Sequence, residues 1–167
     1  AFFFVPVVLE QKFVHVDSMI VGYFNYLAHF ADIKQLFFSK LWGYGGSTWG
    51  PEDGMSFSVG LLQWIFALAA GVLALFNFKK NKSKSLMIWM FISFAFFYAF
   101  LTHSKSSFIW NHISVLQFAQ FPWRLVALAV FYFSFCAGYL LSISVSNNQK
   151  KILLASFITI IVFWNLP

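Results

Sequence analysis

The residue types best suited to ligand chemistry occur together in the segment Gln120-Phe121-Pro122-Trp123-Arg124. Pro122 suits the first turn of a helix, where its missing N–H costs no hydrogen bond. Free backbone N–H groups and the positive end of the helix dipole would then lie beside Arg124, and together they favour a phosphate or pyrophosphate. The candidate anion-binding residues in and near this segment are Arg124, Trp123, Gln120, His103 and Lys105.

A second interpretation of Arg124 stays open. A long cationic side chain at the end of a membrane helix can extend to the headgroup level, and Trp123 would then join the belt of aromatic residues at that level. A lone arginine on the outer side of a membrane gains nothing from the positive-inside bias, and this favours a binding role.

The stretch from Leu41 to Gly54 combines five glycines with three aromatic residues. Its glycines predict tight turns and close backbone approach. The flat faces of Trp42, Tyr44 and Trp49 could stack on a sugar ring or lie among lipid headgroups, and both interpretations fit. A phosphate loop is excluded, because the Gly-Lys-Ser/Thr ending is missing.

Four residues are weaker candidates for acid, base or metal chemistry. Glu52 and Asp53 could act as a base or hold a divalent cation, but Asp53 also fits the N-cap of the following helix, which is the favoured interpretation. His29 and Asp32 are three residues apart in a predicted helix and would share a face. Two ligands do not make a metal site, so a solvated His–Asp pair is favoured, and we predict no bound metal and no cofactor.

The composition determines what kind of element must position these residues. Hydrophobic residues make up 60% of the 167 residues and charged residues 10%, whereas a soluble domain has about 25% charged residues. The single cysteine, Cys136, excludes an internal disulfide and a multi-thiolate zinc site. The composition therefore predicts an integral membrane protein whose partner is the lipid bilayer.

Helices are the elements expected in a bilayer, which offers no hydrogen-bond partner to free backbone groups. We predict an all-α, polytopic fold in one membrane domain over residues 1–167, with complete spans at about 54–78, 85–102 and 125–145. Truncated spans are predicted at 1–9 and 152–167, so we expect a fragment of a longer protein. The long outer loop, residues 10–53, is predicted to contain an interfacial helix from Asn25 to Phe38.

The charges predict the orientation of these spans. The lysines that follow the first and third complete spans lie on one side, and short lysine-rich loops are normally cytoplasmic. Every acidic residue and every histidine then lies on the outer side. The formal net charge of +6 is thus a topology signal, and it does not indicate nucleic-acid binding. The inner lysines are Lys79, Lys80, Lys82, Lys84, Lys150 and Lys151.

Three segments resemble a known family. These are Leu41-Trp42-Gly43-Tyr44-Gly45-Gly46-Ser47 continuing to Asp53-Gly54-Met55-Ser56-Phe57, then Gln120-Phe121-Pro122-Trp123-Arg124-Leu125, and Pro6-Val7-Val8-Leu9-Glu10. They resemble the bacterial 6-pyruvoyl-tetrahydropterin synthase-related membrane proteins, relatives of the YfhO-like group. The family name does not describe an activity here, because a pterin synthase needs a soluble fold with a three-histidine zinc site and the four histidines lack that spacing.

The resemblance implies an architecture similar to the GT-C glycosyltransferases of the bacterial plasma membrane. That superfamily takes a sugar from a polyprenyl-phosphate carrier at the outer face, with an acidic catalytic motif in the first outer loop. We expect this chain to begin after that motif, so its catalytic residues would lie upstream. A non-enzymatic transporter or flippase of lipid-linked sugars and a structural membrane protein are the alternatives. Spans without ionisable residues count against the transporter.

Overall fold

The computed structural model describes residues 4–10, 13, 15, 20–50, 52–142 and 146–165. The described chain is helical, as predicted, and its β-type pairing consists of two isolated bridges, Ala31 with His103 and Tyr44 with Met55. The α-helices are α1 (Phe4–Glu10), α2 (Ile33–Phe37), α3 (Leu61–Phe76), α4 (Lys82–Thr102), α5 (Ser107–His112), α6 (Ser114–Gln117), α7 (Val126–Ser142) and α8 (Asn147–Asn165). Single 3₁₀ turns cover Gly22–Phe24, Tyr26–His29, Ser104–Ser106 and Pro122–Leu125.

Helices α3, α4 and α7 pack on one another around a core of small and aromatic side chains. Small residues of α3 form a buried stripe at Ala67, Ala70, Gly71 and Ala74. A Cβ added to Gly71 would lie 2.8 Å from Cδ1 of Ile92 on α4, so glycine allows the two helices to approach closely. Cys136 on α7 is also a buried packing position.

Among the described residues, two helical segments have the length and apolar composition needed to cross a membrane, Lys82–Thr102 with 21 residues and Pro122–Leu140 with 19. Helix α3 is apolar but has 16 residues, about 24 Å at 1.5 Å per residue. The predicted span at 54–78 is therefore wrong over its first turns. Residues 54–60 are not helical, because Val59 donates its N–H to the carbonyl of Leu36 (2.8 Å) and Gly60 has a left-handed φ of 81°.

Helix α8 returns along the other helices towards the start of α3. Its Phe157 stacks on Phe66 of α3 with ring centroids 4.6 Å apart, and Lys40 Nζ lies 3.9 Å from the ring centroid of Trp164. The long helices therefore alternate in direction. The α3–α4 turn and the start of α8 lie at one end of the bundle, which we call the lysine end.

The other end carries a layer of short elements that we call the cap, residues 20–50, 52–60 and 103–125. Its small core contains Ala31, Leu36 and Phe57, with Trp123 packed against them. The N–H of Ala31 donates to the carbonyl of Thr102 (3.0 Å), which ties the cap to the end of α4. Residues 20–50 of the predicted outer loop thus fold against residues 103–125.

The predicted helix from Asn25 to Phe38 is wrong as a single element. It is replaced by the Tyr26–His29 turn and α2, with a break around Ala31. The side chain of Asn25 accepts from the N–H of Leu27, and Asp32 forms a capping box with Gln35. The side-chain caps and the hydrogen bond of Ala31 give the backbone partners that compete with one continuous helix.

Candidate functional site

Arg124 lies where Pro122–Leu125 leads into α7, and Pro122 occupies the first turn as predicted. The guanidinium is exposed, donates from Nη1 to the carbonyl of Ala119 (3.0 Å), and lies 4.8 Å from the ring centroid of Phe121. A guanidinium has five N–H donors. The contact with Ala119 therefore orients Arg124 and leaves donors that can meet an anion.

The turn beneath Arg124 has an unusual backbone. Gln120 has a φ of 61°, and the N–H of Phe121 donates to the carbonyl of Ala119 at 2.6 Å. A left-handed conformation costs a residue with a Cβ about 1–2 kcal/mol. The carbonyl of Ala119 accepts from both Phe121 and Arg124, so Arg124 stabilises the turn that presents it.

The glycine-rich loop, residues 41–50 and 52–54, is built from two closely paired backbone segments. Gly45 donates to the carbonyl of Gly54 (2.9 Å), and Gly54 donates to the carbonyl of Gly46 (3.0 Å). This pairing leaves the three candidate aromatic rings projecting from the cap. Their residues are 82%, 90% and 74% exposed, for Trp42, Tyr44 and Trp49 respectively. Rings this exposed are free to stack on a sugar or to enter a headgroup layer.

Asp53 is buried and stabilises this loop through its hydrogen bonds, so the predicted N-cap role is wrong. Its Oδ1 accepts from the N–H of Thr48 (2.8 Å) and its Oδ2 from Nε2 of Gln35 (2.7 Å). Helix α3 begins later, with Gly60 at its N-cap. The neighbouring Glu52 is exposed. Asp53 therefore joins the loop to α2, and the two acids do not act as a pair.

The prediction that His29 and Asp32 share one helix face is wrong, because the helical conformation is interrupted between them. His29 is buried, with Nδ1 2.8 Å from Oγ of Ser47 and Nε2 bonded to the carbonyl of Tyr23. Asp32 caps α2, and its Oδ1 lies 4.0 Å from Nε2 of His103. Among the described residues, no three His, Cys, Asp or Glu side chains group to hold a metal ion.

His103 ends α4 and caps the turn Ser104–Ser106, where its Nδ1 accepts from the N–H of Lys105 (3.0 Å). Its proton therefore belongs on Nε2, which faces Asp32. Burial lowers the pKa of His103, the carboxylate of Asp32 opposes that shift, and the ammonium of Lys105 adds to it. The neutral His103 therefore adds no positive charge that could attract an anion. Lys105 is exposed and remains a candidate for contact with an anion.

Phe121 and His29 connect the two halves of the predicted site. The ring centroids of His29 and Phe121 lie 4.7 Å apart, and the guanidinium of Arg124 lies over the ring of Phe121. Because His29 also meets Ser47, side-chain contacts run without a break from the glycine-rich loop to Arg124. Sequence reasoning missed Ser47 and Phe121, although both lie within the motifs that carried the predictions.

A second missed network fixes the segment between α4 and α7. The ring of Tyr26 stacks on the fully buried Trp110 at 5.5 Å, and its hydroxyl donates to Oδ1 of Asn111. The indole of Trp110 donates to the carbonyl of Leu101 (3.0 Å). The buried Tyr26 and Trp110, together with the exposed Asn111, thus hold α5 against the start of the cap.

Trp123 packs inside the cap. Its ring stacks on Phe57 with centroids 5.9 Å apart and also contacts Phe121 at 5.4 Å. Its Nε1 is buried and has no hydrogen-bond partner among the described residues. Trp123 therefore supports the turn that carries Arg124, and its ring lies against the cap core.

Comparison of the chain with protein-family models, with curated proteins and with solved structures finds no match. The resemblance based on the three sequence segments therefore stays a prediction.

Proposed function

We propose that this chain is a polytopic, GT-C-like protein of the bacterial plasma membrane that binds a polyprenyl-phosphate-linked sugar at its outer face. The observation that carries the proposal is the contact path from Ser47 through His29 and Phe121 to Arg124. It places an exposed guanidinium and a loop of exposed aromatic rings in one cap. Phosphate and sugar are the two groups that such a pair of surfaces suits.

The helix directions support the membrane part of the proposal. Helices α3 and α8 run alongside α4 and α7, the two helices with the length and composition of a span. Large apolar side chains project outwards from them, including Phe94, Phe97, Phe131 and Phe135. Such surfaces suit contact with lipid. With the lysine end in the cytoplasm, the cap lies on the outer face.

The binding roles divide between the two halves of the cap. Arg124, with its N–H donors and permanent charge, would hold the phosphate, and the exposed Lys105 would add positive charge to the cap. The rings of Trp42, Tyr44 and Trp49 would contact the sugar. Asp53 and His29 hold the cap together through their hydrogen bonds, so neither is assigned an acid–base role in a transfer reaction.

The bundle core favours this proposal over a transporter of lipid-linked sugars. A transporter is expected to carry ionisable residues at mid-membrane depth. The segments Leu61–Phe76, Leu86–Thr102 and Val126–Ser142 contain no Asp, Glu, Lys, Arg or His. Polar chemistry is concentrated in the cap instead.

Binding measurements on the purified protein in detergent test the proposal. The probes are a polyprenyl-phosphate-linked sugar, the polyprenyl phosphate alone and the uncharged polyprenol. We expect R124Q to weaken binding of both phosphorylated probes, by about 10-fold or more for a lost charged hydrogen bond. R124K retains charge and a donor, so it should lose less. K34Q, which changes an exposed lysine of α2, is the matched control.

A different variant tests the sugar surface. W49A should reduce the preference for the sugar-linked probe over polyprenyl phosphate and leave binding of polyprenyl phosphate unchanged. Equal affinity of the wild-type protein for all three probes would overturn the proposal and favour a structural membrane protein. Full binding by R124Q would exclude the phosphate role of Arg124.

A further inference from the structure

The lysine end concentrates positive charge on a surface that the proposed sugar site does not use. Four exposed lysines, Lys79, Lys80, Lys82 and Lys84, surround the turn between α3 and α4. Two more, Lys150 and Lys151, lie exposed in the first turns of α8. Because α8 packs beside α3 and α7, these two groups come from separate parts of the chain to the same end of the bundle.

Nothing in these two segments neutralises the charge. Residues 77–84 and 146–151 contain no Asp or Glu, and none of the six lysines forms an ion pair with a described acidic residue. Exposed apolar side chains border the lysines, with Phe76 81% and Ile152 65% exposed. The surface therefore presents ammonium groups next to exposed apolar side chains that could contact acyl chains.

We propose that the lysine end binds the headgroups of anionic phospholipids of the phosphatidylglycerol type and selects them over zwitterionic phospholipids. Each ammonium would meet a headgroup phosphate that carries no cation of its own, while Phe76 and Ile152 contact the acyl chains below. Charge complementarity decides the partner, since lysine-rich segments next to membrane helices are attracted to anionic leaflets. The inference rests on the proposed membrane placement and is independent of the sugar site.

Spin-labelled lipids measure this selectivity. The purified protein is reconstituted into phosphatidylcholine vesicles containing a trace of spin-labelled phosphatidylglycerol or spin-labelled phosphatidylcholine, and the motionally restricted fraction gives the relative association constant. We expect wild-type protein to prefer phosphatidylglycerol, and the preference to shrink as salt rises. The variants K79Q/K80Q and K150Q/K151Q each remove two lysines and should each reduce the preference by about 25-fold, at about fivefold for each lysine contact with an anionic surface.

Two further variants separate lipid binding from a folding defect. K79R/K80R preserves charge and should keep the wild-type preference, whereas K34Q removes an exposed lysine from the cap and should also keep it. Equal association of both labelled lipids with the wild-type protein would overturn the proposal, as would an equal loss in K34Q. Retained selectivity in K79Q/K80Q/K150Q/K151Q would do the same. Failure of sugar binding with lipid selectivity intact would reject only the proposed function.

Discussion

The Nδ1 atom of His29 lies 2.8 Å from the Oγ atom of Ser47 inside the cap, and both residues are buried. Nε2 of His29 faces the carbonyl of Tyr23, which can only accept, so the ring proton belongs on Nε2. Nδ1 is then an acceptor, and Ser47 donates its hydroxyl to it. The glycine-rich loop is thereby attached to the side chain that contacts Phe121 beneath Arg124.

We expect S47A to destabilise the protein by about 1–3 kcal/mol, because it leaves the buried Nδ1 of His29 without a donor. The apparent melting temperature in detergent should fall by several degrees. S83A, at an exposed position of α4, is the control and should change little. Equal melting temperatures for S47A and S83A would show that the hydrogen bond contributes no stability.

We expect D53N to loosen the glycine-rich loop. Both carboxylate oxygens of Asp53 accept hydrogen bonds, from Thr48 and Gln35. An asparagine must direct its NH₂ group at one of these donors, so one charged hydrogen bond is lost, at a cost of about 1.5–3 kcal/mol. Limited proteolysis within residues 41–54 should become faster. E52Q changes the exposed neighbouring acid, and faster cleavage in E52Q as well would contradict the bracing role of Asp53.

The sequence predicted the helical class and the long helices because those signals are local. Apolar runs, the small-residue stripe of α3 and the lysine groups each show in a short window. The cap was predicted less well. The structure contains a capping box of Asp32 and Gln35, which outweighs the helical periodicity of Asn25 to Phe38. The contact of His29 with Phe121 joins distant segments, so no spacing pattern could predict it.

We expect the stability of the cap to fall in acid through His103. Burial places the pKa of folded His103 below its ordinary value of about 6.5. The unfolded chain then binds the proton more readily, so the contribution of this residue is present above about pH 6.5 and is lost as pH falls through the lower folded pKa. Protonation of Nδ1 would also remove the cap on Lys105.

Melting temperatures between pH 8 and pH 5 measure this effect. H103N keeps an acceptor at the cap without titrating, so its melting temperature should depend less on pH than that of the wild-type protein. H112N removes an exposed histidine and should retain the wild-type pH dependence. The assignment to His103 fails if the two variants show the same profile.

Gly45 and Gly46 provide the sharpest test of the loop that carries the aromatic rings. A Cβ on Gly45 would lie 2.7 Å from Cα of Gly54, which is backbone and cannot move without breaking the pairing. The nearest atom to a Cβ on Gly46 is the Tyr23 hydroxyl, at 3.8 Å. We therefore expect G45A to cost more than about 1 kcal/mol and G46A to be close to neutral.

The same pair of variants links the loop to binding. Separation of the paired backbones in G45A would displace Tyr44, whose backbone pairs with Met55, so the preference for the sugar-linked probe over polyprenyl phosphate should fall with the melting temperature. G46A should preserve both quantities, because Arg124 and the ring positions are unchanged. If G45A lowers the melting temperature but keeps the full preference for the sugar-linked probe, the rings of this loop do not contact the sugar.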